Sequence, residues 1–158
     1  MGNKEEIRET HSAEETFEAG RDMALTAFPG QVVALYGDLG TGKTVFAQGF
    51  AAGLGIRETV NSPTFTILQV YEEGRLPLFH FDVYRIGDIE EMQEIGWDEY
   101  VYADGVCLVE WADLIEDLID EIPDEKIRRV EIQKDLSKGA DYRRIIKEAR
   151  KDHENTCN

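Results

Sequence analysis

The stretch GDLGTGKT, Gly37 to Thr44, has the residue types and the spacing of a phosphate-binding loop, G-x-x-x-x-G-K-[ST]. Glycines let successive backbone N–H groups turn toward an anion, and the helix that follows adds its partial positive charge. Lys43 is then placed to reach the β- and γ-phosphates, and the Thr44 hydroxyl to ligate Mg²⁺. The predicted phosphate-binding residues are Asp38, Leu39, Gly40, Thr41, Gly42, Lys43 and Thr44.

Two acidic residues follow apolar runs and are candidates for the magnesium side of the same site. Asp82 lies within HFDVYR, and Glu110 ends the run VCLVE. A carboxylate in an apolar run needs a partner or a metal, because burying it bare is costly. Glu110 has the better pattern for a metal ligand at the carboxyl end of a buried strand. For Asp82, a structural hydrogen bond or a pair with Arg85 stays open as an alternative.

These residues need a parallel sheet to bring them together. Gln31 to Tyr36 is a short apolar run typical of a central parallel strand, and a helical pattern follows the loop as far as Gly53. Ahead of it, Ser12 and Glu15 have the spacing of a capping box, and apolar residues at helical intervals continue to Pro29. The predicted fold class is therefore α/β and P-loop NTPase-like, with a mostly parallel central sheet flanked by helices.

The segment between the loop and Asp82 predicts a turn and two β-rich pieces. Asn61 to Thr64 is a polar turn with a proline, of the kind that orders around a γ-phosphate. Thr64 is accordingly a candidate catalytic residue, with a turn residue that caps its own backbone as the alternative. Phe65 to Tyr71 and Leu76 to Asp82 flank a tight turn and predict two strands.

The remaining elements are predicted more coarsely. Short helices are expected at 88–93 and 97–102, an amphipathic helix at 113–122 and a strand at 128–133. Residues 142–152 fit a strand at their start or a charged helix. The 158 residues are expected to form a single domain, with mobile termini at 1–11 and 152–158.

Composition excludes several classes of protein. A formal net charge of −16 argues against a direct grip on nucleic acid, which needs clustered Lys and Arg. No apolar run is long enough to span a membrane, and the first residues lack the apolar core of a signal peptide, so a cytoplasmic location is expected. The spacing of Cys107 and Cys157 suggests neither a metal site nor a disulfide, and both are expected to be free thiols.

Four motifs in order, GDLGTGKT, NSPTFT, HFDVYR and VEW, resemble those of the bacterial TsaE family, also called YjeE and YdiB. The resemblance covers about Ser12 to Asp113. TsaE proteins are small P-loop ATPases of the tRNA threonylcarbamoyladenosine pathway. The resemblance implies a switch role for Thr64, a place beside the metal and the γ-phosphate for Asp82, and Mg²⁺ ligation for Glu110, with the family's tryptophan at Trp111.

The resemblance also implies partners and a nucleotide base site. The family acts with the threonylcarbamoyl transferase TsaD and its companion TsaB, so tRNA is contacted only indirectly. Adenine is expected between the N-terminal segment and the region around Lys134, and Arg143 is the candidate for an arginine in the family's C-terminal strand. The chain departs from the family at Ala112, where a proline is common.

The chemistry expected from the residues is Mg²⁺-dependent ATP hydrolysis. The loop and Lys43 hold the phosphates, Thr44 and Glu110 hold the metal, and Asp82 orients water. ATP is favoured over GTP, because no N-K-x-D motif follows Glu110 and Asp82 is not followed by glycine at the third position.

Two alternatives to a hydrolase remain open at this stage. One is a small-molecule kinase, with a lid furnished by Arg128, Arg129, Arg143 and Arg144. The other is a nucleotide-gated binding module in which hydrolysis is incidental.

Overall fold

A seven-stranded mixed sheet forms the centre of the chain, in the order β1-β7-β6-β2-β5-β4-β3. The computed structural model describes residues 5–38, 40–61 and 67–148. The strands are β1 (Glu5–Thr10), β2 (Val32–Tyr36), β3 (Leu68–Tyr71), β4 (Leu78–Asp82), β5 (Val106–Glu110), β6 (Ile127–Lys134) and β7 (Arg143–Glu148). The four central strands, β6, β2, β5 and β4, are parallel, while β3, β7 and β1 pair antiparallel at the two sides. This is the predicted α/β architecture.

Short helices connect the strands. They are α1 (Ala13–Ala24), α2 (Lys43–Gly53), α3 (Glu90–Ile95), α4 (Trp97–Val101) and α5 (Glu116–Ile119). The predicted Ser12 cap at the start of α1 is confirmed, and the Glu15 side chain binds the N–H of the residue before the cap instead of that of Ser12. The Ser12 hydroxyl accepts from the Glu15 backbone N–H at 3.1 Å, and the Glu15 carboxylate accepts from the His11 N–H at 2.8 Å. These bonds satisfy two N–H groups near the start of the helix.

Alternation along the strands divides the core into two hydrophobic layers. Val33 and Leu35 of β2 face α1 and α2, where Phe46 and Phe50 pack against them. The alternate residues of β2, Val32 and Ala34, point to the opposite face of the sheet. The second layer there also contains Phe81, Met92, Trp97, Val109 and Ile119. Because β2 and β5 are buried on both faces, they are continuous apolar runs, as the sequence indicated.

The N-terminal residues differ from prediction. Residues 1–11 were expected to be mobile, but Glu5–Thr10 form β1, which pairs antiparallel with β7 from Glu5↔Glu148 to Thr10↔Arg143. Only Thr10 of this strand is buried, so its sequence is mostly charged and lacks the apolar alternation that predicts a strand. The same pairing settles the C-terminal alternative, since Arg143–Glu148 is a strand and not a helix.

The helix predicted over 113–122 is broken. Ala112–Ile115 form a 3₁₀ turn, and α5 follows after Ile115, whose φ of −127° and ψ of 36° leave helical geometry. Both pieces keep apolar side chains in the core, because Ile115 and Ile119 are fully buried. Tertiary packing therefore overrides the continuous helical pattern.

Two smaller expectations concern a thiol and the membrane. Cys107 is a free, buried thiol, and burial raises its pKa to about 12. Cys157 lies outside the described residues. Among the helices of the described residues, none is long and apolar enough to cross a membrane.

Candidate functional site

Glycine conformation shapes the loop between β2 and α2. Gly42 precedes the first residue of α2 and has a φ of 100°, a left-handed value that favours glycine. Gly37 has a φ of 149°, and a Cβ there would lie 2.6 Å from the Ile132 carbonyl oxygen. The loop can therefore keep this path, close to β6, only with glycine at both positions. Such a loop at a helix N-terminus is an anion-binding nest.

Lys43 is folded back over this loop. Its Nζ donates to the carbonyl oxygens of Gly37 at 2.6 Å and Asp38 at 2.8 Å, and lies 3.9 Å from the centroid of the Trp111 ring. Burial lowers the pKa of Lys43, and the charges of nearby carboxylates, of which Glu110 is the strongest, act in the opposite direction. The ammonium group is thus held at the mouth of the loop, where phosphate oxygens would replace the carbonyls as its acceptors.

Thr44 and Glu110 meet across the gap between α2 and β5. The Thr44 hydroxyl donates to Glu110 Oε1 over 3.4 Å, and the Glu110 side chain is buried. The second carboxylate oxygen, Oε2, lies 2.7 Å from Nε2 of His80 on β4. The two predicted metal ligands therefore lie next to each other, and His80, which was not predicted as a site residue, contacts Glu110 from the core side.

Asp82 lies beside Glu110 at the carboxyl edge of the sheet. The two residues are register partners in the parallel β4–β5 pair. One Asp82 oxygen accepts from the Tyr84 backbone N–H at 3.0 Å. Asp82 also lines a cavity of about 460 Å³ that its neighbours Lys43, Thr44 and Glu110 share, which we call the phosphate-side cavity. Its carboxylate is held at that edge.

A second cavity opens on the other side of the loop. Its volume is about 510 Å³, and Asp38, Thr41 and Lys134 are among its lining residues. Lys134 ends β6, and its Nζ would lie 3.3 Å from a Cβ added at Gly40. The structure therefore places Lys134 against the loop, and the expected adenine site around Lys134 stays a prediction.

Arg143 anchors the loop from the start of β7. Its Nε donates to the Thr41 carbonyl oxygen at 2.8 Å, and its Nη2 to that of Gly40 at 3.4 Å. The same guanidinium donates to the Ala140 and Tyr142 carbonyl oxygens. By occupying loop carbonyls on the outer side, Arg143 holds the peptide groups that orient the loop. Sequence analysis named Arg143 through the family resemblance and as a candidate lid arginine, and neither hypothesis predicted that it would bind the loop.

Two predicted site residues cannot be placed. Leu39 and Thr64 lie outside the described residues, so the predicted switch role of Thr64 stays a prediction. The other predicted loop residues, Asp38, Gly40, Thr41, Gly42, Lys43 and Thr44, surround the two cavities.

The donor set fits Mg²⁺ bound together with phosphate. Within the described residues, no group of three or more His, Cys, Asp or Glu side chains is placed to hold a metal ion. Magnesium in nucleotide sites does not need such a group, because it takes one or two carboxylates, phosphate oxygens and water. Neighbouring oxygens around octahedral Mg²⁺ lie about 2.9 Å apart, from bond lengths of about 2.0–2.1 Å. The 3.4 Å separation of Thr44 Oγ1 and Glu110 Oε1 is close to that spacing.

A sheet whose central strands are parallel, with a glycine-rich loop between β2 and the next helix, defines the P-loop NTPase-like class of α/β folds. Comparison with known proteins agrees. A crystal structure of YdiB from Bacillus subtilis superposes with a TM-score of 0.77 at 42% identity, covering 95% of this chain and 88% of that one.

The chain belongs to the TsaE family. The family model, described as "Threonylcarbamoyl adenosine biosynthesis protein TsaE", matches residues 10–145. The tRNA threonylcarbamoyladenosine biosynthesis protein TsaE of Bacillus subtilis is 52% identical over 121 residues, which is 77% of this chain and 73% of that protein. The protein of the same name in Treponema pallidum is 46% identical over 106 residues, or 67% and 78% of the two chains. This family places the chain in tRNA threonylcarbamoyladenosine biosynthesis.

Proposed function

We propose that the chain binds ATP with Mg²⁺ in the phosphate-side cavity and hydrolyses it, and that hydrolysis serves threonylcarbamoyladenosine formation on tRNA through the transferase TsaD and its companion TsaB. The observation that carries the proposal is the convergence of Lys43, Thr44 and Glu110 at one edge of the sheet. A loop that only turned the chain would have no need of a buried acid opposite its threonine.

Each residue has a distinct part in the proposed reaction. The loop amides and Lys43 bind the phosphates, and Thr44 and Glu110 are the protein ligands of Mg²⁺. Magnesium supplies charge neutralisation for the phosphate oxygens. Asp82, at the end of β4, orients the attacking water. Because phosphoryl transfer is mainly positioning and electrostatic stabilisation, this set of groups is sufficient for slow hydrolysis.

The charge of the molecule supports action through partners. With a net charge of −16, the chain has no general attraction for tRNA phosphates. We therefore assign tRNA contact to TsaD and TsaB. We also propose that the assembly is cytoplasmic and that ATP hydrolysis is the step that returns it to its starting state.

Three of the four arginines proposed for a kinase lid have partners elsewhere, and the fourth, Arg144, is exposed. Arg129 lies 3.0 Å from Asp120 and 3.6 Å from Glu148, Arg128 lies 3.5 Å from Glu6, and Arg143 donates to the loop. These contacts favour hydrolysis over transfer to a small molecule, since a lid arginine must be available to the acceptor side.

Products formed from ATP test the proposal. The purified chain, with TsaD, TsaB and tRNA present, is expected to release inorganic phosphate from ATP in Mg²⁺ but not in EDTA. Lys43→Ala should abolish release, because it removes the charge that holds the phosphates, while Lys126→Ala, at the amino end of β6 and opposite the loop end of the sheet, serves as a matched control. Formation of a phosphorylated nucleoside or metabolite in place of free phosphate would establish the kinase alternative.

A further inference from the structure

His80 is an unusual residue for the place it occupies. It is fully buried in the middle of β4, on the face where Leu78 and Leu108 pack into the core under α2. An apolar residue would fill this position at lower cost, because a buried polar ring must be hydrogen-bonded. Among the described residues, its Nδ1 has no hydrogen-bond partner, and the hydrogen bond of its ring is made from Nε2.

That contact is with Glu110. Nε2 of His80 lies 2.7 Å from Oε2 of Glu110, and both side chains are almost fully buried. When the carboxyl group is ionised, the ring donates from Nε2 to it. The other oxygen, Oε1, is then the one that faces Thr44 at 3.4 Å. One oxygen of the acid is held from behind, and the other is presented to the site.

Strand register explains why His80 can do this. Asp82 is the register partner of Glu110, and His80 is the partner of Leu108, two residues earlier on the same strand pair. Alternation puts His80, Asp82, Leu108 and Glu110 on one face of the sheet. The imidazole therefore reaches along the sheet to Glu110 from the core side, while Asp82 stands at the open edge.

We propose that His80 is a positioning residue for the magnesium site: it fixes the rotamer of Glu110 so that Oε1 faces Thr44. The inference rests on the proposed Mg²⁺–nucleotide function of that site. A glutamate has three side-chain torsions, and without a partner at Oε2 it would sample orientations that turn Oε1 away. Residues that orient a metal ligand from outside typically contribute about 10–100-fold to metal affinity or activity.

The test measures metal binding rather than turnover. The Mg²⁺ concentration that half-saturates the complex of the chain with a non-hydrolysable ATP analogue is measured for the wild type, His80→Leu, His80→Gln and His80→Asn. Affinity for the analogue in EDTA is measured in parallel. Glutamine carries an amide nitrogen at about the reach of Nε2, whereas asparagine is one carbon shorter and places its nitrogen near the position of Nδ1.

The expected result separates the variants. His80→Leu and His80→Asn should raise the half-saturating Mg²⁺ concentration by about 10–100-fold. His80→Gln should stay close to the wild-type concentration, because it restores the donor to Glu110. Affinity in EDTA should be the same for all four chains, because no hydrogen bond joins His80 to the described residues of the loop.

Two results would overturn the inference while leaving the proposed function intact. One is a half-saturating Mg²⁺ concentration that is the same in His80→Leu, His80→Asn and the wild type. The other is an equal loss of affinity in Mg²⁺ and in EDTA, which would make His80 a folding residue only. Should His80→Leu fail to fold, the comparison of His80→Gln with His80→Asn decides, since equal Mg²⁺ affinities in those two variants also overturn it. If the wild-type chain bound the ATP analogue equally well with Mg²⁺ and in EDTA, the proposed function itself would be contradicted.

Discussion

Glu110 and Asp82 end neighbouring strands, yet their surroundings differ. Glu110 is buried and held by His80 and Thr44, whereas Asp82 is partly exposed and accepts from the Tyr84 backbone. A buried, doubly held carboxylate suits a metal ligand whose position must not vary. A carboxylate at the open edge suits contact with water. The two acids should therefore fail in different ways when they are neutralised.

Neutralising each acid in turn gives the prediction at this scale. Glu110→Gln should weaken Mg²⁺ binding by at least about tenfold, because a direct ligand contributes no less than an orienting partner. Asp82→Asn should leave Mg²⁺ and nucleotide affinity near wild type and lower the hydrolysis rate by about 100-fold or more, the usual contribution of a positioned base. Calorimetric titration and phosphate release measure the two effects. Equal losses of Mg²⁺ affinity in both variants would contradict the division of roles.

The sequence predicted some site residues and missed others, because local and long-range contacts leave different signals. Lys43 and Thr44 stand in a motif in which each letter performs a local task, so their roles follow from spacing alone. His80 was missed because its partner, Glu110, is 30 residues away along the chain. The available signal was alternation: His80 lies two positions before Asp82 and shares its face of the strand.

At the scale of elements, α1 and α2 approach closely through glycine. A Cβ added to Gly49 of α2 would overlap the Phe17 carbonyl oxygen of α1, and one added to Gly20 of α1 would overlap that of Phe46. The close contact of the two backbones at Gly20 and Gly49 fixes the position of α2 against α1. Since α2 begins at Lys43, this packing also fixes the end of the phosphate-binding loop.

Gly49→Ala should therefore destabilise the fold. Overpacking typically costs about 1–3 kcal/mol, which lowers the melting temperature of a chain of this size by roughly 2–12 °C. Ala52→Ser, on the half-buried side of the same helix, should change it much less. Differential scanning calorimetry measures both, and an unchanged melting temperature for Gly49→Ala would show that the helices can separate without cost.

The strand β7 acts on the loop through Arg143. Arg143→Ala should weaken nucleotide binding by about tenfold or more, since a hydrogen bond from a charged group contributes about 1.5–3 kcal/mol and about 1.4 kcal/mol is a factor of ten. Arg144→Ala, one position along the strand and exposed, is the matched control. Nucleotide titration compares the two variants, and equal affinities would mean that the loop holds its shape without the anchor.

Elements were predicted well where local signals exist. The Ser12 cap of α1 and the apolar run of β2 appear where the sequence placed them. The strand β1 was missed because it lies at the edge of the sheet and carries charged residues, so only its pairing with β7 makes it a strand. The order of the strands likewise depends on long-range pairing that no local pattern specifies.

At the scale of the whole molecule, β1 is tied to the C-terminal region by Tyr142. Its hydroxyl donates to the Glu9 carboxylate at 2.6 Å, and this hydrogen bond is the main cause that lowers the pKa of Glu9. A carboxyl group with a lowered pKa in the folded state stabilises the fold above its unfolded pKa. That contribution is lost as the pH falls through the folded-state pKa.

Tyr142→Phe should consequently melt at a lower temperature than the wild type at neutral pH. The difference should shrink as the pH falls below the ordinary glutamate pKa of about 4.3 and on through the lowered folded-state pKa of Glu9. Tyr102→Phe, whose ring is exposed, should match the wild type at every pH. A Tyr142→Phe deficit that persists unchanged in acid would mean that the hydroxyl acts on another group.

We propose that ATP hydrolysis at this site serves repeated rounds of tRNA modification. The most direct measurement counts threonylcarbamoyladenosine formed per TsaD in a reconstituted mixture with TsaB, tRNA in excess and either the wild-type chain or Asp82→Asn. The wild type is expected to support many rounds, and Asp82→Asn, with ATP bound but not hydrolysed, about one round, because the assembly is not reset. If Asp82→Asn binds ATP, has lost hydrolysis and still supports many rounds at the wild-type rate, hydrolysis is not the function of this site.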